Sequence, residues 1–167
     1  MPDAGAELGD VEALSPAVWD RNADWWAETF TEGADPEYDL QILPLIEENL
    51  VGCSSVLDIG CGEGQVSRRL LGAGDANGNA SRKVVSIDPS RGQLGWALRR
   101  VPRPLLTMGF GERLPYREGC FDAAVCCLVI EHVADAEALF AETARVLGAR
   151  GRFLLLVNHP MFQGEGT

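Results

Sequence analysis

The chain has 167 residues, 46% of them hydrophobic, with 14 Lys and Arg against 25 Asp and Glu and a formal net charge of −11. This length suits one domain with a packed core, which excludes wholesale disorder and leaves no room for a full second domain. Phosphate recognition needs clustered cations and a membrane span needs about 18 apolar residues in a row; the sequence has neither, so no nucleic-acid partner and no membrane span are expected. The acidic first residues lack the apolar core of a signal peptide. Cys53, Cys61, Cys120, Cys126 and Cys127 show neither CxxC spacing nor paired His ligands. They read as reduced thiols in a cytoplasmic protein with no metal site.

Residues 1–14 are small and acidic without periodicity and read as a flexible tail. Residues 15–50 read as an N-terminal helical cap. Ser15-Pro16 is a helix start, and Val18, Trp19, Ala23, Trp26, Ala27 and Phe30 recur on one helical face. Ile42, Leu45, Ile46 and Leu50 repeat the spacing in a second helix that Pro44 kinks or delays. From residue 51 to 167 strands and helices alternate. Apolar strands are expected at Ser55–Ile59, Lys83–Ile87, Pro104–Met108, Phe121–Leu128 and Phe153–Val157. Helices are expected at Gln65–Leu71, at Gly92–Arg100 with Leu94, Trp96, Ala97 and Leu98, and at Asp135–Leu147. The stripe of the last helix is Ala136, Leu139, Phe140, Ala144 and Leu147. Gly72–Ser81 reads as a flexible connection. Apolar strands separated by helices need crossovers, which predicts a Rossmann-like, doubly wound parallel α/β sheet with helices on both faces.

The chemistry concentrates in VLDIGCGEG, Val56–Gly64. A strand enters glycines and then a helix, so backbone N–H groups can approach a ligand at a helix start that favours negative charge. Gln65 stands where a dinucleotide fingerprint has its third glycine, and Gly-Lys-Ser/Thr is absent, which disfavours a nicotinamide oxidoreductase and excludes a P-loop. Asp58 would repel pyrophosphate and attract an amine. Asp88, at the tip of the second strand in VVSIDPS, can accept both hydroxyls of a ribose, although Asp-Pro-Ser is also a good helix start. His132, just after the fourth strand, is the best general-base candidate; Glu131 and His159 are weaker ones.

VLDIGCGEG, VVSIDPS, GERLPYREGCFDAAV, CLVIEHV and ARVLGARGRFLLL, in this order over about Leu50–Val157, resemble the class I S-adenosylmethionine-dependent methyltransferases. The likeness is to their small-molecule branch, with the ubiquinone and menaquinone methyltransferases. The resemblance implies S-adenosylmethionine as cofactor and a small-molecule acceptor. It implies that Gly60, Cys61 and Gly62 lie under the methionine part and that Asp58 orients this loop. It implies that Asp88 holds the ribose, Pro89 flanks the adenine, Gly111 and Glu112 border its edge, and Leu128 faces the methionine. Trp26 matches an aromatic that covers the cofactor; the plainer account of Trp19, Trp25 and Trp26 is packing of their helix onto the domain.

Two features depart from the family pattern. Phe110 replaces an Asp that contacts the adenine. The family sheet has seven strands and this chain supplies five, so it reads as incomplete at the C-terminus with the fifth strand's edge exposed. These departures motivate a rival reading, a non-catalytic remnant acting as a partner-binding module or homo-oligomer.

Overall fold

The computed structural model describes residues 15–31, 35–72 and 82–158. The expected tail 1–14, most of the connection 72–81 and His159 lie outside these residues. Five parallel strands, β1 (Ser55–Ile59), β2 (Lys83–Asp88), β3 (Leu105–Met108), β4 (Phe121–Cys127) and β5 (Leu147–Leu156), form one sheet in the order β3-β2-β1-β4-β5. The chain steps outward from β1 to β3, then returns to lay β4 on the other side of β1. That reversal opens a crevice at the carboxyl ends of β1 and β4, the place where doubly wound sheets hold ligands.

The helices are α1 (Pro16–Thr29), α2 (Leu43–Asn49), α3 (Gln65–Gly72), α4 (Arg91–Arg99) and α5 (Ala136–Val146). Ser15 caps α1 by accepting the Ala17 N–H, with Pro16 in the first turn. A π-helical turn, Tyr38–Ile42, precedes α2, and Pro44 sits in the first turn of α2, where its missing N–H costs no helical bond. The second helix therefore starts late.

Alternation along the inner strands divides the core. Val56, Val84, Ala123 and Val125 face α2 and α3 through Leu43, Ile46, Leu50, Val66 and Leu70. Leu57, Ile59, Val85, Ile87, Ala124 and Cys126 face α5 through Leu139 and Val146. Burial on both faces holds for β1, β2 and most of β4, whereas β3 and β5, the outer strands, are only partly covered.

Several expected faces differ. On α2 Leu43 is buried beside Ile46, and Leu45 is exposed. On α4 Leu98 points to solvent. On α5 the buried stripe is Leu139, Thr143 and Val146; Phe140 and Ala144 are exposed, and Phe140 meets Phe153 of β5 edge-on instead. Helix α5 ends one residue before Leu147, which already pairs with Phe121 as the start of β5. A register irregularity between Phe121 and Ala123 absorbs residues 148–151, so β5 starts six residues before the expected Phe153.

Helix α1 is docked by polar bonds at both ends. Asp20 accepts the Ser90 hydroxyl at 2.6 Å and the Gly92 N–H at 2.8 Å, and Asp24 accepts the Trp96 indole N–H at 2.8 Å. At the other end Arg100 donates to Thr31 Oγ1 at 2.8 Å and to the Ala27 carbonyl at 3.3 Å. Arg100 also pairs with Glu63 at 2.5 Å, and Arg68 pairs with the same carboxylate at 2.7 Å. Glu63 is 1% exposed, so both guanidiniums are needed to offset its desolvation.

Removing Glu63 strands two shielded cations. Glu63→Ala is expected to lower unfolding free energy by about 3–5 kcal/mol, and Glu63→Gln, which keeps acceptors, by less. Urea unfolding checks this; a Glu63→Ala loss under about 1 kcal/mol would show that the pairing is not needed.

Candidate functional site

Strand β1 ends at Ile59, and the chain turns sharply through Gly60, whose φ of +69° suits glycine. A Cβ there would lie 2.5 Å from both γ-methyls of Val129, so side-chain contact also demands glycine. The loop is tied to the end of β2. The N–H groups of Gly60 and Cys61 donate to the Ile87 carbonyl at 2.8 and 3.1 Å, and the Gly62 N–H donates to Asp88 Oδ2 at 2.8 Å. This corrects the expectation that the glycine-loop amides are free for a ligand: they hold the loop, and what they leave open is its surface.

Asp88 also accepts the Ser90 N–H on Oδ1 at 2.8 Å. Each oxygen thus has one backbone donor and one lone pair left for a hydroxyl. Burial raises the Asp88 carboxyl to about 6, against the pull of the Ser90 and Gly62 N–H groups and with a small push from Asp20. Asp58 is held differently. Its Oδ2 accepts the Ser67 hydroxyl of α3 at 2.5 Å, and Ser67 Oγ lies 2.6 Å from Ser86 Oγ. Burial raises Asp58 to about 7; the Ser67 bond opposes this, and the negative charge of Asp88 adds to it. Two carboxylates near the ends of β1 and β2, with no bonded cation among the described residues, favour a ligand that brings positive charge and hydroxyls.

These groups line a cavity of about 170 Å³ at the carboxyl edge of the sheet. The expected cofactor-binding residues and His132 border it, whereas Glu131 does not and His159 lies outside the described residues. Asp58, Gly60, Cys61 and Gly62 come from β1 and its loop, Asp88 and Pro89 from the end of β2, Gly111 and Glu112 from the loop after β3, and Leu128 and His132 from beyond β4. Trp26 reaches it from α1, together with Trp19. Trp19 stands edge-on to both Trp26, at 5.4 Å, and His132, at 5.0 Å, which joins α1 to the turn after β4. Helix packing and covering the cavity are therefore one arrangement for these tryptophans, while Trp25 is exposed. Phe110 is half-exposed at the cavity's edge.

Several residues have plain structural reasons as well. A Cβ on Gly111 would come within 2.9 Å of Ile59 and Leu139, so packing alone keeps it a glycine. Burial pushes the Cys61 thiol well above its ordinary value, which leaves it inert as a nucleophile. Glu131 is exposed and accepts from Asn158 at 3.0 Å, outside the cavity lining. Leu128 has φ 56°, a left-handed conformation strained for a branched side chain, where β4 ends beside the cavity.

Three features escape sequence reading. Glu63 borders the cavity, but its charge is taken up by Arg68 and Arg100. Tyr38 lines the wall, its hydroxyl 3.7 Å from Cys127 Sγ. Gln93 on α4 is 3% exposed, and its Oε1 has no hydrogen-bond partner among the described residues. A buried carbonyl left without a donor is costly, and this one lines the cavity. A buried Gln on an amphipathic helix was the available signal.

Comparison with known proteins places this arrangement. The family described as a methyltransferase domain matches residues 57–155. Malonyl-[acyl-carrier protein] O-methyltransferase of Geobacter sulfurreducens is 30% identical over 76% of this chain and 45% of its own length. Demethylmenaquinone methyltransferase of Beutenbergia cavernae is 33% identical over 60% of this chain and 39% of its own. A protein named a probable 18S rRNA (guanine-N(7))-methyltransferase, of Dictyostelium discoideum, is 32% identical over 66% of this chain and 35% of its own. The chain thus spans less than half the length of these relatives. Among solved structures, a SAM-dependent methyltransferase from Thermotoga maritima superposes with a TM-score of 0.65 at 20% identity, over 84% of this chain and 60% of that one, which supports the fold.

The family's cofactor is S-adenosylmethionine, and the residues present fit it: open lone pairs on Asp88 for a ribose, uncompensated negative charge for a cation, and an orphaned Gln93 carbonyl for a donor. Over the core that carries its sheet and its cavity, this chain belongs to the methyltransferase-domain family of S-adenosylmethionine-dependent enzymes.

Proposed function

We propose that this chain binds S-adenosylmethionine between the ends of β1 and β2 and transfers its methyl group to a small-molecule acceptor. The observation that carries the reading is the pairing of Asp88 with the Gly62 N–H, which leaves a carboxylate edge open to a ribose inside the cavity. The cofactor supplies an electrophilic methyl group on a sulfonium. Asp88 accepts the ribose hydroxyls, and Pro89, Gly111 and Glu112 border the adenine. The surface of Gly60–Gly62 and the Leu128 backbone accommodate the methionine part, and Asp58 supplies opposing charge. Catalysis then rests on alignment: Trp19 and Trp26 exclude water and hold the acceptor against the methyl group. His132 is the imidazole that lines the cavity among the described residues, and it is placed to take a proton when the nucleophile must lose one.

The names of the relatives span an acyl-carrier protein, a quinone and an rRNA, so kinship alone does not choose the acceptor. The cavity lining includes Trp19, Trp26 and Tyr38 and none of the chain's Lys or Arg, which supports a small molecule over nucleic acid. A second reading, an associating module without turnover, is favoured by the outer position of β5, where Leu155 is exposed, as is Val157 just beyond the strand. Turnover with any acceptor removes it.

Calorimetric titration with S-adenosylhomocysteine tests the cofactor site. Asp88→Ala is expected to weaken binding by roughly 1–3 kcal/mol, the scale of lost charge-assisted hydrogen bonds. Asp58→Asn is expected to impair binding more than His132→Ala does. No binding by the folded wild-type chain, or full affinity in Asp88→Ala, defeats the reading.

The site must also respond to pH. Asp88, held at about 6, and Asp58, held at about 7, accept hydroxyls most strongly, and attract positive charge, when ionised. Both protonate as the pH falls through these values, so affinity declines from pH 8 to pH 5, and near pH 6 binding releases protons. Titrations in buffers of different ionisation heat measure that release. Affinity that is flat across the range, with no proton release, would show that the carboxylates do not face the ligand.

A further inference from the structure

Of the buried side-chain atoms without a hydrogen-bond partner among the described residues, Gln93 Oε1 is the one whose residue lines the cavity. Gln93 lies in the first turn of α4 and is 3% exposed, followed by the buried apolar residues Leu94 and Ala97. Its backbone N–H donates to Ser90 Oγ at 3.1 Å, which caps the helix. Its side-chain carbonyl serves no such purpose. An apolar side chain of the same length would fill the place without the cost of a carbonyl stripped of its water.

The carbonyl stands close to the Asp88 carboxylate. Oε1 is 3.6 Å from the point that a Cβ on Gly62 would occupy, and the Gly62 N–H donates to Asp88 Oδ2 at 2.8 Å. Asp88 Oδ1 accepts the N–H of Ser90, the residue that also caps Gln93. Gly62, Asp88 and Gln93 thus meet at one part of the cavity wall. Since Gln93 is buried under the chain's own residues, the donor it lacks has to reach it from the cavity.

Resting on the cofactor reading, we propose that Gln93 is a further cofactor-positioning residue, whose carbonyl accepts a ribose hydroxyl in a three-centre hydrogen bond shared with Asp88 Oδ2. Three-centre bonds of this kind are common where two acceptors adjoin. The carboxamide is neutral, so it remains an acceptor when Asp88 protonates. The unliganded protein carries the cost of the unpaired carbonyl, and a ligand with the hydroxyl removes it. A ligand without the hydroxyl leaves the carbonyl unpaired, so the residue acts as a selector for the intact ribose.

The test combines thermal melting of the unliganded chain with calorimetric titration of S-adenosylhomocysteine and its 2′-deoxy and 3′-deoxy analogues. Wild type is compared with Gln93→Met and Gln93→Leu. Both variants are expected to melt higher than wild type, because an unpaired carbonyl leaves the core, and to bind S-adenosylhomocysteine about five- to tenfold more weakly. For one of the two deoxy analogues the loss is expected to stay below about twofold, since the hydroxyl that Gln93 accepts is already missing. A glutamine with a merely structural role behaves in the opposite way. Its variants melt lower or fail to fold, and they lose affinity equally for all three ligands. Either result overturns the proposal, as does unchanged affinity for S-adenosylhomocysteine. Failure of the wild-type chain to bind S-adenosylhomocysteine defeats the cofactor reading itself, whereas the other adverse results defeat only the role of Gln93.

Discussion

Glu63 carries its charge at 1% exposure between two guanidiniums that arrive from different parts of the chain. Arg68 comes from α3, which follows the glycine loop. Arg100 follows α4 and also holds the last turn of α1 through the Ala27 carbonyl and Thr31. The loop, α3, the end of α4 and the end of α1 meet at one carboxylate, so none can shift without uncovering a buried charge. Such an assembly contributes little net stability over an apolar one of the same shape, because desolvation roughly cancels attraction. What it fixes is position: the aromatic face of α1 is set over the cavity.

Asp58 and Asp88 make the opposite use of burial. Among the described residues neither is bonded to a guanidinium or an ammonium; hydrogen bonds from Ser67, Ser90 and Gly62 offset only part of their desolvation, and both carboxyls rise toward neutral pH. A carboxylate that is fully paired, like Glu63, serves the fold. One that is held in place but left electrically uncompensated attracts a cation. The carbonyl of Gln93 is a third group with no hydrogen-bond partner among the described residues, and the left-handed Leu128 places backbone strain at the same cavity.

Much of this was legible in the sequence, and the misses follow a pattern. Strands β1, β2 and β4 read clearly because burial on both faces makes them apolar throughout. The glycine loop, Asp58 and Asp88 stood out because a strand followed by glycines and then a strand-terminal acid is a local pattern. Side chains facing partly covered surfaces read less well: Phe140 and Ala144 fitted the periodicity of α5 but face out, and Thr143, a polar residue, is buried. The Glu63 cluster was invisible because Arg100 lies 37 residues away and Thr31 on yet another element. The loop amides looked available because no sequence pattern shows that Ile87 and Asp88 already accept from them.

The shared family core begins at Leu57, after α1 and the π-helical turn have been traversed. Pro16, Trp19, Trp26 and Tyr38 therefore belong to a stretch of chain separate from the one that builds the carboxylate floor. A substitution at Trp19 changes the cavity lining without removing either partner of the Asp88–Gly62 hydrogen bond. The aromatic part of the cavity lining and its carboxylates are thus carried by separate stretches of chain, so either can be altered by substitution without touching the other's hydrogen bonds.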